Sequence, residues 1–107
     1  MQYLTRLLTV FYLLVFGLSA SSCDQIQKSL DLLQADTAYN QGNYVKAISF
    51  YQKLVQNNPQ DSELQWKLGI AYYSNNEHSN VEKQIEKLQK LKNQKLADDL
   101  KQLIYSH

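Results

Sequence analysis

The chain has 107 residues, a formal net charge of +1, eight tyrosines and a single cysteine. That length holds one small domain, and one cysteine rules out an internal disulfide. The near balance of 11 basic and 10 acidic residues excludes the strongly basic surface on which nucleic-acid binding depends.

Residues 1–22 open with one cation, Arg6, followed by the apolar run Leu7-Leu8-Thr9-Val10-Phe11-Tyr12-Leu13-Leu14-Val15-Phe16, then Gly17 and small residues. This pattern predicts a secretory signal peptide. The run is shorter than the roughly 20 residues that span a bilayer as a helix, and an uncleaved anchor from Tyr3 to Ala20 is the alternative. Cys23 directly follows Ala20-Ser21-Ser22, a junction that resembles the lipobox of bacterial lipoproteins and departs from it at Ala20, where leucine is usual. The resemblance implies thioether lipidation and N-acylation of Cys23, with palmitate-like chains that each contribute about 0.8 kcal/mol of membrane affinity per buried CH₂. Asp24 resembles the sorting residue that retains such lipoproteins at the periplasmic face of the inner membrane. Ordinary signal-peptidase cleavage near Ala20 or Ser22 competes with this expectation. Asp24 also reads as the N-cap of the first helix, which is compatible with the sorting role.

The first mature helix is expected from about Asp24 to Gln41, with two apolar stripes: Ile26, Leu30, Leu33 and Thr37 on one, Leu32, Ala35 and Tyr39 on the other. Gly42-Asn43 breaks it, and Asn43 can cap the next helix with its side-chain oxygen. There Tyr44, Ala47, Ile48, Tyr51, Leu54 and Val55 fall at helical spacing on one face, until Asn57-Asn58-Pro59 stops the run. In the third helix Leu64, Leu68, Ala71 and Tyr72 share one face, with Trp66, Ile70 and Tyr73 nearly opposite. A helix apolar on two sides is sandwiched between neighbours or offers one side to a ligand. Asn75-Asn76 turns the chain, and Ser79-Asn80-Val81-Glu82 reads as a capping box ahead of a helix whose Val81, Ile85, Leu88 and Leu91 face inward. A last amphipathic helix from Gln94 to Tyr105 carries Leu96, Leu100, Leu103 and Ile104.

A shift of 34 residues takes Ala35 to Gly69, Tyr39 to Tyr73, Ala47 to Val81, Tyr51 to Ile85 and Leu54 to Leu88. A 34-residue period with two helices per unit is that of tetratricopeptide repeats, and the chain resembles that family. The resemblance implies an all-α fold, a fragment of right-handed α-α superhelix with repeats over residues 28–61 and 62–95. Residues 23–27 are expected to hold the lipidated cysteine and a short linker, and residues 96–107 a capping helix. A further shift of 34 takes Trp66 to Leu100 and Gly69 to Leu103. The tail helix is alternatively a surface for a second copy, a homodimer, since two repeats bury little core.

Chemistry-bearing residues are sparse. His78 and His107 have no partner at metal-ligand spacing, Glu82 and Glu86 lie among Lys83, Lys87 and Lys90 on a solvated face, and Asp98-Asp99 point in two directions on a helix. With no glycine-rich loop and no nucleophile beside a base, neither an enzyme nor a cofactor is expected. Two expectations about function follow. In one, the repeats of a small envelope lipoprotein dock a protein or peptide segment, with Tyr39, Trp66, Ile70 and Tyr73 lining the concave side. In the other, the protein is a structural, self-associating lipoprotein whose aromatics are interior packing. The exposure of Trp66 and Tyr73 discriminates between them.

Overall fold

Three helix-to-helix turns each contain one residue with left-handed backbone, Gly42 (φ 77), Asn76 (φ 62) and Lys92 (φ 61). Each closes by the same pair of hydrogen bonds: Asn43 N–H to Ala38 O at 2.9 Å and Gly42 N–H to Tyr39 O at 3.0 Å, then Glu77 to Tyr72 and Asn76 to Tyr73, then Asn93 to Leu88 and Lys92 to Gln89. This is the Schellman arrangement, which satisfies carbonyls that the helix end leaves free and needs one left-handed residue. In a computed structural model, which describes residues 23–106, these turns and the connection 58–61 separate α1 (residues 23–40), α2 (Tyr44–Asn57), α3 (Ser62–Ser74), α4 (His78–Lys90) and α5 (Gln94–Tyr105). No strand occurs among the described residues. The expected signal peptide over residues 1–22 and His107 lie outside them.

The chain divides into two compact units, Met1–Leu30 and Asp31–His107. Of the first, residues 23–30 are described; all are helical, and Cys23, Asp24, Ile26 and Leu30 are exposed. Among the described residues no helix is long and apolar enough to cross a membrane.

In the second unit, side chains start three of the helices. Asn43 accepts from Lys46 N–H at 3.3 Å, Asp61 from Leu64 N–H at 3.2 Å and Asn93 from Leu96 N–H at 3.2 Å. Each satisfies a backbone donor that has no partner within its helix. Helix α4 departs from expectation. It starts at His78, ahead of Ser79, and its N-cap Glu77 makes no side-chain cap bond. The turn decides this: Glu77 N–H is drawn back to Tyr72 O, while its carboxylate accepts from Asn75 Nδ2 at 2.9 Å and Asn80 Nδ2 at 3.0 Å. The expected Ser79–Glu82 box is therefore not the helix start.

The core follows the predicted faces. Leu64, Leu68, Ala71 and Tyr72 of α3 are buried, as are Ala47, Ile48, Tyr51, Leu54 and Val55 of α2 and Val81, Ile85 and Leu88 of α4. On α1 the inward stripe is the one that repeats, with Ala35 fully buried and Leu32 and Tyr39 packed against the core, while Leu33 stays exposed. Two polar side chains join this interior. Gln84 Nε2 donates to Gln65 Oε1 at 2.7 Å and to Gln65 O at 3.0 Å, and Gln65 Nε2 donates to Pro59 O at 3.0 Å. Both amide nitrogens thus have acceptors, which removes the penalty of burying unmatched donors, and the pair ties α3 to α4 and to the preceding turn.

The last helix breaks the period. Its N-cap Asn93 stands 32 residues after Asp61, the cap of α3, because α4 has 13 residues where α2 has 14 and the chain between α4 and α5 is the three residues 91–93 where four, 58–61, join α2 to α3. In that register Gln65 corresponds to Ala97 and Leu68 to Leu100, and all four are buried. The expected 34-residue correspondence of Trp66 to Leu100 and Gly69 to Leu103 does not hold for α5. Helix α5 packs on both α4 and α3, and Leu100, fully buried, contributes about 1.5–3 kcal/mol through its burial.

Candidate functional site

The outward face of α3 carries Trp66 and Ile70, both partly buried against the core. They form part of two depressions. One, of about 310 Å³, is lined by Asp36, Tyr39, Asn40, Tyr51, Trp66, Lys67 and Ile70. The other, of about 360 Å³, is lined by Trp66, Ile70, Asp99, Gln102, Leu103 and Ser106. Because both share Trp66 and Ile70, they make one groove running from α1 across α3 to α5. A separate depression of about 380 Å³ lies between α1 and α2, lined by Leu33 and Phe50 among others, and Lys46 Nζ there sits 5.9 Å from the centre of the Phe50 ring.

Of the four residues expected on the concave side, the structure brings Tyr39, Trp66 and Ile70 to this groove. Tyr39 is held there by its hydroxyl, 2.8 Å from Ser74 Oγ, and by the Tyr44 ring, whose centroid is 5.3 Å away. Tyr73 lines neither depression. Its ring stands edge-on to His78, with centroids 5.9 Å apart and planes at 82°, because α4 begins directly beneath it.

Sequence reasoning missed the groove's polar wall. Lys67 Nζ lies 3.2 and 3.1 Å from the two carboxylate oxygens of Asp36, with the lysine side chain 22% and the aspartate 36% exposed. Asp36 Oδ1 also accepts the Tyr51 hydroxyl. Burial, then that bond and the charge of Asp36, push the Tyr51 phenol well above its usual range, since ionising it would place a second negative charge beside the first. The 34-residue period held one clue, for it puts Asp36 in α1 where Ile70 stands in α3. At the groove floor Trp66 Nε1 is buried with no hydrogen-bond partner among the described residues, a state that costs about 1–3 kcal/mol.

Among the described residues no group of three or more His, Cys, Asp or Glu could hold a metal ion. The groove offers an apolar floor and carboxylates, which suits holding a chain segment. A comparison with curated proteins finds no match, and one with solved structures finds none either. A family model described as tetratricopeptide repeat matches residues 38–104, from the end of α1 almost to the end of α5. On that match, and on its paired helices with recurring turns, the chain belongs to the tetratricopeptide repeat family, whose repeats generally mediate protein–protein interaction rather than catalysis.

Proposed function

We propose that this protein is a small lipoprotein of the bacterial cell envelope, anchored in a membrane through Cys23, whose repeats dock a protein or peptide segment along the groove of Trp66 and Ile70. The docking part rests on one observation above all. Two apolar side chains of a core helix are left partly exposed at the shared wall of two depressions, where interior packing would have covered them. The anchoring part rests on an exposed Cys23 next to a leader-like run and small residues. Asp24 favours the inner membrane. Assembly of envelope complexes is the role that a tethered docking module of this size fits.

A structural, self-associating role is the second reading. It draws on the Tyr39 contact with Ser74 and the Tyr73 contact with His78, which are packing and need no partner.

Two variants test the proposal. Cys23→Ser is expected to move the protein out of the membrane fraction and to abolish incorporation of labelled fatty acid; retention with unchanged label overturns the anchor. Ile70→Gln is expected to lose the partner recovered by cross-linking from native membranes while keeping its helical circular dichroism. The register of α5 places Gln102 at the corresponding position, so a glutamine there is compatible with the fold. Undiminished recovery moves the docking surface away from the groove.

A further inference from the structure

The charges around the groove say what kind of segment it accepts. Its one lysine is engaged: Lys67 is bound to both oxygens of Asp36, and Asp36 in addition accepts the Tyr51 hydroxyl. At the other end Asp98 is occupied by Gln94 Nε2 at 2.8 Å. Its neighbour Asp99, which lines the depression, is exposed and has no hydrogen-bond or ion-pair partner among the described residues. Between these ends lie Trp66, Ile70 and Leu103.

An acidic segment entering here would meet an unneutralised carboxylate and a lysine already paired, whereas a basic one gains Asp99 and loses nothing. We propose, building on the docking reading above, that the groove takes a protein segment with an apolar side chain seated among Trp66, Ile70 and Leu103 and a nearby lysine or arginine paired with Asp99. Arginine fits best, since its planar fork can engage both oxygens of the carboxylate. The pair sets which segments bind more than how tightly they bind, because an exposed ion pair is a small contribution beside a buried apolar anchor.

The test selects a randomised dodecapeptide library on the whole chain, on Asp99→Asn and on Ile70→Gln, with circular dichroism confirming that both variants are folded. The wild type is expected to enrich peptides that combine an apolar or aromatic residue with lysine or arginine. On Asp99→Asn the apolar enrichment persists and the cationic enrichment vanishes. A selected peptide binds that variant about twofold to fivefold more weakly, a gap that closes in high salt. Enrichment of acidic peptides, or a cation preference unchanged in Asp99→Asn, overturns the charge assignment, and the docking reading stands if Ile70→Gln removes the binding. No enrichment, or binding that survives Ile70→Gln, overturns both.

Discussion

A Cβ placed on Gly69 would stand 2.6 Å from Leu100 Cδ1 and 3.1 Å from Cδ2, so the last helix is seated on the one position of α3 that has no side chain. Leu100 is fully buried there, and the next neighbour, Gln84 Cβ at 3.4 Å, belongs to the buried amide pair. The smallness of residue 69 thus serves the contact between α3 and α5 as much as the pairing of α3 with α4.

This contact predicts a specific non-additivity. Alanine is about 1 kcal/mol better than glycine inside a helix, yet overpacking a filled site costs about 1–3 kcal/mol, so Gly69→Ala should destabilise the protein by about 1 kcal/mol. In a Leu100→Val background, where the δ-carbons are gone, the same change should stabilise it by about 1 kcal/mol. Urea unfolding of the four proteins in the cycle measures a coupling of about 2 kcal/mol. Additive effects would mean that Leu100 does not sit over Gly69.

Removing α5 altogether gives a second prediction. A chain ending at Asn93 loses Leu100 from the core and Leu103 from beside Trp66. Trp66 is the only tryptophan, so its emission should shift to the red and the unfolding midpoint should fall. An unchanged spectrum and midpoint would show that α5 is not a cap.

Tyr51 predicts a pH dependence. Its phenol is displaced upward by burial and by Asp36, so the folded value lies above the unfolded one of about 10. The unfolded chain releases this proton first. The stability attached to the hydroxyl is therefore complete below about pH 10 and drains as pH rises toward the folded value. At neutral pH Tyr51→Phe should cost about 1–2 kcal/mol, with solvent screening at the partly exposed Asp36 keeping it in that range. The gap between the two proteins should narrow in alkali. A gap that is constant with pH would detach the phenol from Asp36.

The helices and their inward faces were legible because local rules and packing agree. Gly42 and Asn76 have the residue types that left-handed turns favour, and Ala47, Val81, Leu54 and Leu88 keep their places under the 34-residue shift. The third turn was not legible, for Lys92 carries no turn signature and adopts positive φ only because the helices on either side demand it. That turn, with an α4 one residue shorter than α2, cuts the spacing to 32 and invalidates the extrapolated correspondence for the tail. Gln84 was not legible from its polarity, although its spacing from Val81 and Leu88 puts it on the inward face. The groove was half legible: the second apolar face of α3 announced Trp66 and Ile70. Its wall was not, since Asp36 and Lys67 are 31 residues apart and meet only once the helices stack.

The last prediction separates Trp66 from Tyr73, which lie seven residues apart on one helix and were expected to act together. Trp66 lines the groove and buries an indole N–H that has no partner among the described residues, whereas Tyr73 packs against His78 at the α3–α4 turn. Truncating a binding anchor typically costs about 2 kcal/mol or more. Trp66→Ala should therefore reduce partner recovery about thirtyfold with little change in the urea midpoint, since losing the ring's packing is partly offset by removing an unsatisfied buried donor. Tyr73→Ala should do the reverse, lowering the midpoint by removing a core contact while leaving recovery intact in the folded fraction. Lys83→Ala, on the exposed face of α4, should change neither. Co-purification measured beside urea unfolding reads both axes for all three variants. If Tyr73→Ala also loses the partner while still folded, the docking surface extends past the groove to the turn; if Trp66→Ala unfolds the chain, the indole is part of the core and the groove loses its anchor.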